Sequence, residues 1–171
     1  MQLLQGKYIH LRALEPEDLE FLYALENDPE LWQFSEHQRP LSKKLLTRFI
    51  ENAHLDPYKI GQLRLMIVSE NTRLGMVDLF EFSPRNKRAF VGIVIQSNYR
   101  NHGVATTALG LISDYAKQWL ECYQLAAHVS ASNQSSISLF EKSGFVRTGV
   151  FTKWIASGTG FEDQYMYQKV L

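Results

Sequence analysis

The chain has 171 residues, of which 45% are apolar and 21% charged, and these proportions predict one globular domain over residues 1–171 with a sizeable core. Lysine and arginine together number 18, as do aspartate and glutamate, so the formal net charge is zero and gives no support for nucleic-acid binding. The single cysteine, Cys122, excludes an intrachain disulfide, fits a cytoplasmic location and is interpreted as a packed apolar residue.

The N-terminal segment lacks the basic start, long apolar stretch and small-residue cleavage site of a signal peptide. No apolar run approaches the roughly 20 residues that a membrane span needs. We therefore expect neither a secretory leader nor a membrane partner.

The first half of the chain predicts a strand, two helices and three further strands. Alternating strand formers begin the series, and Pro16 with neighbouring acids starts a helix that ends at Asp28. A second amphipathic helix begins near Ser42. Short polar turns separate the next strands, which therefore predict an antiparallel meander. The predicted strands are 7–14, 63–70, 74–82 and 89–95.

The second half alternates helices and strands. Apolar residues at helical spacing cover 104–120, and a second helix runs from Asn133, a good cap, to a stop before Gly144. The strands are predicted at 124–130, 145–151 and 163–170. The order β-α-α-β-β-β-α-β-α-β-β predicts a mixed α/β sheet.

The connection between strand 89–95 and helix 104–120 has the features of an anion site. A helix N-terminus offers unpaired backbone N–H groups and positive dipole charge, Gly103 lets a ligand approach the backbone, and Arg100 adds a cation suited to phosphate. An ordinary strand–helix connection with a glycine turn explains the same residues equally well. The dinucleotide G-x-G-x-x-G pattern and the P-loop pattern are both absent.

Two motifs resemble those of the GCN5-related N-acetyltransferases, the GNAT family. The acetyl-CoA motif of that family, Q/R-x-x-G-x-G/A, is matched by Arg100, Gly103 and Ala105. A later helix motif, roughly N-x-x-A-I-x-L-Y-x-K-x-G-F, is matched by Asn133, Ile137, Leu139, Lys142, Gly144 and Phe145. The element order agrees over nearly the whole chain, and residues 9–28 and 74–95 are similar to the subgroup of ribosomal-protein N-terminal and spermidine N-acetyltransferases.

The resemblance implies a fold and a cofactor site. The fold is a mostly antiparallel sheet of six to seven strands with about four helices and a cleft between strands four and five, where a bulge on strand four aims N–H groups at the acetyl carbonyl. Acetyl-CoA is the implied cosubstrate and no metal is expected. Its pyrophosphate would lie on the turn and its pantetheine arm beside strand four. The implied cofactor contacts are Ile93, Val94, Ile95, Arg100, Asn101, His102, Gly103, Val104, Ala105, Thr106, Asn133, Phe140 and Lys142.

Several of these residues also have a plainer interpretation. The side chains of Ile93 and Ile95 are expected in the core, with only their backbone serving the cofactor. Asn133 can be a simple helix cap, and His102 can be merely exposed. Phe140 occupies the position of the tyrosine that donates a proton to the leaving thiolate in many family members, and phenylalanine has no proton to donate.

The acceptor side is less defined by the resemblance. Phe90 stands where the spermidine enzymes tend to have a glutamate, which weakens a polyamine assignment. The remaining acceptor carboxylates are Glu36, Asp78 and Glu81. On a regular strand the last two face opposite sides, and Asp78 is the better candidate of the two. An exposed strand residue paired with a neighbouring lysine explains Asp78 equally well. His128 is a candidate general base or, preferentially, a hydrogen-bonded core residue.

The resulting hypothesis is an acetyl-CoA-dependent N-acetyltransferase acting by direct transfer on a primary amine, either a polyamine such as spermidine or a protein or peptide N-terminus. A CoA-binding module without catalysis and an aminosugar or antibiotic acetyltransferase stay open as alternatives. The expected partners are the amine acceptor and, as an open question, further copies of the chain in a homodimer or larger homo-oligomer.

Overall fold

The structure is a computed structural model that describes residues 4–32, 39–158 and 160–171. One-turn 3-10 helices precede α1 and flank β4 on both sides. The helices are α1 (Leu19–Glu26), α2 (Pro29–Trp32), α3 (Lys43–Asn52), α4 (Pro57–Ile60), α5 (Val104–Gln118) and α6 (Gln134–Lys142). The strands are β1 (His10–Arg12), β2 (Gln62–Ser69), β3 (Thr72–Ser83), β4 (Arg88–Ile95), β5 (Gln124–Ser130), β6 (Val146–Ser157) and β7 (Gly160–Val170).

The strands form one seven-stranded sheet in the order β1-β2-β3-β4-β5-β7-β6. All neighbouring strands are antiparallel except β4 and β5, which are parallel. The predicted mixed, mostly antiparallel sheet and the β2–β3–β4 meander are therefore confirmed. Of the helices in the described ranges, α1, α3, α5 and α6 have eight residues or more, which agrees with the expected number of about four.

Each face of the sheet has its own core. On one face, α5 and α6 cover side chains of the central strands, including Leu79, Val91 and Leu125, all nearly inaccessible. On the other face, α1 and α3 cover Met66 and Met76 at the β1–β4 end. Because strand side chains alternate between faces, this arrangement assigns every strand residue to an α5/α6 face or an α1/α3 face.

Some predicted boundaries are wrong. The first strand is only three residues long, and the last two strands form a much longer hairpin than 145–151 and 163–170. The hairpin was underestimated because its register shifts between Phe151 and Ile155, where Lys153 has a φ of 52°. A bulge of this kind breaks the period-two pattern by which strands are identified.

Asp18, at the start of α1, is completely buried among cations. Arg12 donates to both of its carboxylate oxygens at 2.7 and 2.8 Å, Arg73 donates at 2.6 Å, and the Glu15 backbone N–H donates at 2.8 Å. Burial alone would raise the pKa of Asp18, but these hydrogen bonds outweigh it and lower the pKa from 3.8 to about 2. The cluster ties β1 and β3 to the first turn that precedes α1.

The charge of Asp18 should stabilise the fold in a pH-dependent way. Since the pKa is lower in the folded than in the unfolded chain, this contribution is complete above the unfolded value of about 3.9 and is lost as pH falls toward 2. We expect Asp18→Asn to lower the free energy of unfolding at pH 7 by about 3 kcal/mol, because two arginines lose a buried partner. The free energy of unfolding, measured in urea from pH 7 to pH 2, should also fall less steeply with decreasing pH in the variant. Asp114→Asn, at an exposed position of α5, is the control and should change stability by less than about 0.5 kcal/mol.

Candidate functional site

β4 and β5 separate part-way along their length. They pair only through Arg88–Phe90 and Gln124–Ala126, whereas β4 continues to Ile95 and β5 to Ser130. Beyond the separation each strand keeps its outer neighbour, β3 or β7. A strand with one neighbour presents a row of backbone N–H and C=O groups on its other side, so the opening can receive an extended polar chain. The cleft predicted between strands four and five is present.

The core role expected for the side chains of β4 at this cleft is confirmed. Ile95 is buried and Ile93 is partly buried against the α5/α6 core, whereas Val94 packs against the α1/α3 core. Any ligand in the cleft therefore meets the backbone of these residues.

The prediction of a bulge on the fourth strand is wrong. The register of β4 against β3 is regular from Phe90 to Ile95, and the irregularity lies on β3 between Phe80 and Ser83, where Glu81 has a φ of 49°. The alternation that placed Asp78 and Glu81 on opposite sides therefore does not extend across this bulge. Glu81 itself is exposed, and Glu36 lies outside the described residues.

The turn after β4 has the geometry of an anion cradle. Gly103 is the N-cap of α5 with a φ of 77°, and a Cβ built on it would have no heavy atom within 4 Å. The first bond of the helix runs from the Thr107 N–H to the Gly103 carbonyl, so the N–H groups of Val104, Ala105 and Thr106 are left without a partner inside the helix. Unpaired N–H groups at a helix N-terminus, next to a glycine with open space on its side-chain side, fit a phosphate group.

The charge beside this turn comes from Arg100. Its Nε donates to the Ile95 carbonyl at 3.0 Å, which fixes the guanidinium at the end of β4. Asn101 has a φ of 64°, and the exposed side chains of Asn101 and His102 form the outer rim of the turn. The structure thus brings the predicted residues 100–106 together at the mouth of the cleft.

α6 begins at the same end of the sheet, because it follows β5 and β5 is parallel to β4. Asn133 caps it by accepting from the Ser136 N–H at 3.1 Å, which confirms its role as a cap. Lys142 is the last residue of the helix and is exposed, about 13 Å along the axis from Asn133. The predicted contact of Lys142 with the cofactor stays a prediction.

Phe140 lies on the buried side of α6. Its exposed fraction is 4%, and its ring packs against Phe145 and Tyr167 at centroid distances of 5.1 and 6.3 Å. The Tyr167 hydroxyl donates to Glu141 at 3.0 Å, and burial followed by the nearby Glu141 raises the pKa of this tyrosine. The Tyr167 hydroxyl is therefore already engaged by Glu141.

On the α1/α3 face, Asp78 and Glu26 share one arginine. Arg64 donates from Nε and Nη2 to the two oxygens of Asp78 at 2.7 and 3.0 Å, and from Nη1 to Glu26. Its guanidinium also lies 4.9 Å from the centre of the Phe49 ring. Burial would lower the pKa of Arg64, but the two carboxylates raise it, so the group stays charged. Asp78 is therefore a paired carboxylate, held by an arginine from the neighbouring strand.

Next to this pair, aromatic rings cross the separation of β4 and β5. Phe80 stacks on Phe90 at 5.9 Å, Phe90 contacts His128 at 4.8 Å, and His128 contacts Phe151 at 5.8 Å. Trp154 continues the series 5.1 Å from Phe151. We call these five residues the aromatic row. His128 is exposed rather than buried, so the preferred prediction of a core histidine is wrong.

Comparison with known proteins identifies the family to which this site belongs. The family model of the acetyltransferase (GNAT) domain matches residues 9–146, which is most of the chain. The chain is a GNAT acetyltransferase. The predicted family and enzyme class are thereby confirmed.

Several relatives of this GNAT acetyltransferase are named for the expected subgroup. The spermidine N(1)-acetyltransferase of Escherichia coli K12 is 27% identical over 137 residues, covering 80% of this chain and 72% of the relative. The probable N-acetyltransferase YjcK of Bacillus subtilis is 30% identical over 175 residues, covering 94% of this chain and 93% of the relative. The structure of spermidine N-acetyltransferase from Vibrio cholerae with CoA and spermine superposes with a TM-score of 0.87 at 22% identity, covering 96% of both chains. A structure of RimL, the ribosomal L7/L12 alpha-N-protein acetyltransferase, with coenzyme A has a TM-score of 0.84 at 18% identity, covering 97% and 96%.

Five residues beside this cleft were not predicted from the sequence. Arg64 holds Asp78 and Glu26 together, and the aromatic row extends through three further rings. The missed residues are Glu26, Arg64, Phe80, Phe151 and Trp154. Arg64 is a cation inside an otherwise apolar strand, and this was the available signal, because a cation in such a position requires a partner. The aromatic row had no comparable signal, since its members come from four different strands.

Within residues 4–32, 39–158 and 160–171, no helix is both long and apolar enough to cross a membrane. The same ranges contain no group of three or more His, Cys, Asp or Glu side chains that could hold a metal ion.

Proposed function

We propose that this protein transfers the acetyl group of acetyl-CoA directly to a primary amine. The observation that carries the proposal is the separation of β4 and β5, which leads directly into the open turn formed by Arg100 and Gly103. An extended edge followed by a phosphate cradle fits the two parts of CoA, a pantetheine chain with amide groups and a pyrophosphate. The CoA complexes of the Vibrio cholerae enzyme and RimL, which share the fold, support the assignment.

The residues present fit this cosubstrate. The backbone of Ile93, Val94 and Ile95 would pair with the pantetheine arm, and the N–H groups from Asn101 to Thr106 would hold the pyrophosphate with the guanidinium of Arg100. Acetyl-CoA, when bound, supplies the acetyl group, so that the amine nitrogen bonds to the acetyl carbon as the C–S bond breaks and its electron pair stays on sulfur. Backbone N–H groups of β4 at the cleft would donate to the thioester oxygen, where negative charge develops.

His128 is the proposed general base. An alkylamine has a pKa of about 10.4 and arrives largely protonated, so a group at the cleft must take a proton before or during attack. His128 is exposed on β5 at the separation, next to Phe90 of β4. Asp78 is less suited to this role, because both of its oxygens accept from Arg64. We therefore propose that Asp78 holds Arg64, and that Glu81 and Glu36 contribute at most to acceptor binding.

The proposed acceptors are polyamines such as spermidine, or the N-terminal amine of a protein or peptide. Relatives named for spermidine, for ribosomal and for L-amino acid acetylation support a primary amine without selecting among these acceptors. Phe140, in place of an acid, is the observation that favours the second candidate, a CoA-binding protein without catalysis. An aminosugar or antibiotic acceptor remains a third candidate that shares the chemistry.

Thiol release from acetyl-CoA tests the proposal. The assay uses a panel of spermidine, peptides with free N-termini, simple monoamines and aminosugars, with CoA binding measured separately by calorimetry. We expect amine-stimulated release with at least one acceptor. CoA binding without release on any acceptor would instead favour the non-catalytic candidate.

Phe140→Tyr should restore a proton donor to the leaving thiolate. The ring size is unchanged, and the expected result is a higher kcat, most visible at low pH, where an acid aids departure most. kcat against pH for both proteins, with the best amine of the panel, measures the effect. A folded variant with an unchanged profile would show that thiolate departure is not limiting. A slower variant, less stable by about 1–3 kcal/mol, would place the hydroxyl in apolar packing and Phe140 away from the sulfur.

The single domain over residues 1–171, a cytoplasmic location and assembly into a homodimer or larger homo-oligomer remain predictions. Size-exclusion chromatography with light scattering would measure the assembly.

A further inference from the structure

The aromatic row lies on the α1/α3 face of the sheet, across the β4–β5 separation. Phe80, Phe90, His128 and Phe151 come from β3, β4, β5 and β6, yet their rings lie in consecutive contact across the α1/α3 face. Phe151 is 37% exposed and Trp154 64% exposed, and the rings of Phe80 and Phe90 are partly accessible. This is a polarisable, largely apolar surface that starts at the β4–β5 separation and runs toward the sheet edge.

The carboxylates beside the row are already engaged. Both carboxylate oxygens of Asp78 accept hydrogen bonds from Arg64, and Glu26 accepts from the same guanidinium. The net charge of the three groups is therefore −1, and the side chain of Arg64 is only 12% exposed. Glu162, on the same face of β7, accepts from the Ser132 backbone N–H at 3.2 Å. The Arg64 cluster thus leaves one uncompensated negative charge on the strand of Phe80, which suits one ammonium group. Glu162, opposite Ile155 on β6, keeps its own charge, because a backbone N–H does not neutralise a carboxylate.

We propose that the acceptor is a primary amine with a single positive charge and an aromatic group. This inference rests on the proposed function. The aromatic group would stack on the rings of Phe90 and Phe151, and the one ammonium would lie at the separation near His128, where ring faces and the residual negative charge favour a cation. Spermidine brings two further ammonium groups, which would have to leave water beside carboxylates that Arg64 already pairs.

The test compares three amines in the thiol-release assay with the full chain: phenethylamine, hexylamine of similar length without a ring, and spermidine. We expect kcat/KM for phenethylamine to exceed that for hexylamine about fivefold and that for spermidine more than about tenfold. Release favouring spermidine would overturn this inference and leave the proposed function standing. No release with any of the three amines, or with the rest of the panel, would overturn both.

Phe151→Leu distinguishes ring stacking from simple apolar contact. It keeps an apolar side chain at a surface position, and we expect it to lower the phenethylamine-to-hexylamine ratio of kcat/KM about fivefold. Val150→Ala is the matched control, because Val150 is 50% exposed on the opposite face of the same strand and should leave the ratio unchanged. Circular dichroism and thermal unfolding report whether each variant folds. If Phe151→Leu does not fold, Trp154→Leu replaces it in the same test. An unchanged ratio in a folded variant would overturn the role of the row.

Discussion

Replacing Gly103 by valine is expected to raise the Kd for CoA about 100-fold, a loss of about 2.7 kcal/mol of binding free energy. Two effects act together. The new side chain would occupy the open space beside Gly103, next to the N–H groups of residues 104–106 that would hold the phosphate. The φ of 77° is also strained for a β-branched residue, so the turn itself should shift. Calorimetric titration of CoA measures the Kd.

Gly110→Ala separates cofactor binding from a general effect on the helix. Gly110 lies within α5, and a Cβ built on it also meets no heavy atom within 4 Å, but it has no left-handed φ. Alanine there should stabilise the protein by about 0.5–1 kcal/mol through helix propensity and leave the Kd for CoA unchanged. Unchanged CoA affinity in folded Gly103→Val would mean that the turn is a structural connection and that the phosphate lies elsewhere.

Much of the fold could be predicted from the sequence because local signals agree with the tertiary arrangement. β5 was predicted with its observed bounds, α3 begins next to Ser42 as expected, and Asn133 caps α6 as expected. The turn at residues 100–106 was also predictable, because its arginine, its glycine and the helix N-terminus are contiguous in sequence. Sites built from one segment depend on short-range geometry, which sequence patterns describe well.

Sites that depend on strand register were not predictable. The hairpin turn between β2 and β3 pairs Ser69 with Thr72, and a regular ladder from that point would place Arg64 opposite Val77. A register shift between Ile67 and Val68 instead places Arg64 opposite Asp78, and the ion pair depends on this single-residue shift.

The environment of His128 could not be predicted from the sequence, for a related reason. Alternation places His128 on one face of β5, but whether that face is covered depends on where the helices pack. α1 and α3 cover the β1–β4 end of this face, and His128 lies beyond them on β5. A histidine in an apolar strand therefore became an exposed residue beside the cleft, and its contacts with Phe90 and Phe151 come from two other strands.

Replacing His128 by glutamine is expected to lower kcat/KM for the best amine about 100-fold. Glutamine keeps a polar side chain of similar reach but cannot take a proton, and a general base contributes about 10²–10⁴-fold. His54→Gln is the control, because His54 is exposed near the end of α3, far in sequence from the cleft, and should leave kcat/KM unchanged. Thiol release against amine concentration gives kcat/KM, and a thermal unfolding curve shows that both variants fold.

The pH dependence distinguishes a base from a residue that only positions the acceptor. A histidine base works in its neutral form, so the wild-type advantage over His128→Gln should shrink as falling pH protonates the imidazole. The advantage should also shrink above about pH 10, where the amine becomes neutral without help. The ratio of kcat/KM values is therefore expected to pass through a maximum between these limits. A constant ratio from pH 6 to pH 10 would contradict proton transfer by His128 and leave it a residue that holds the acceptor against Phe90 and Phe151.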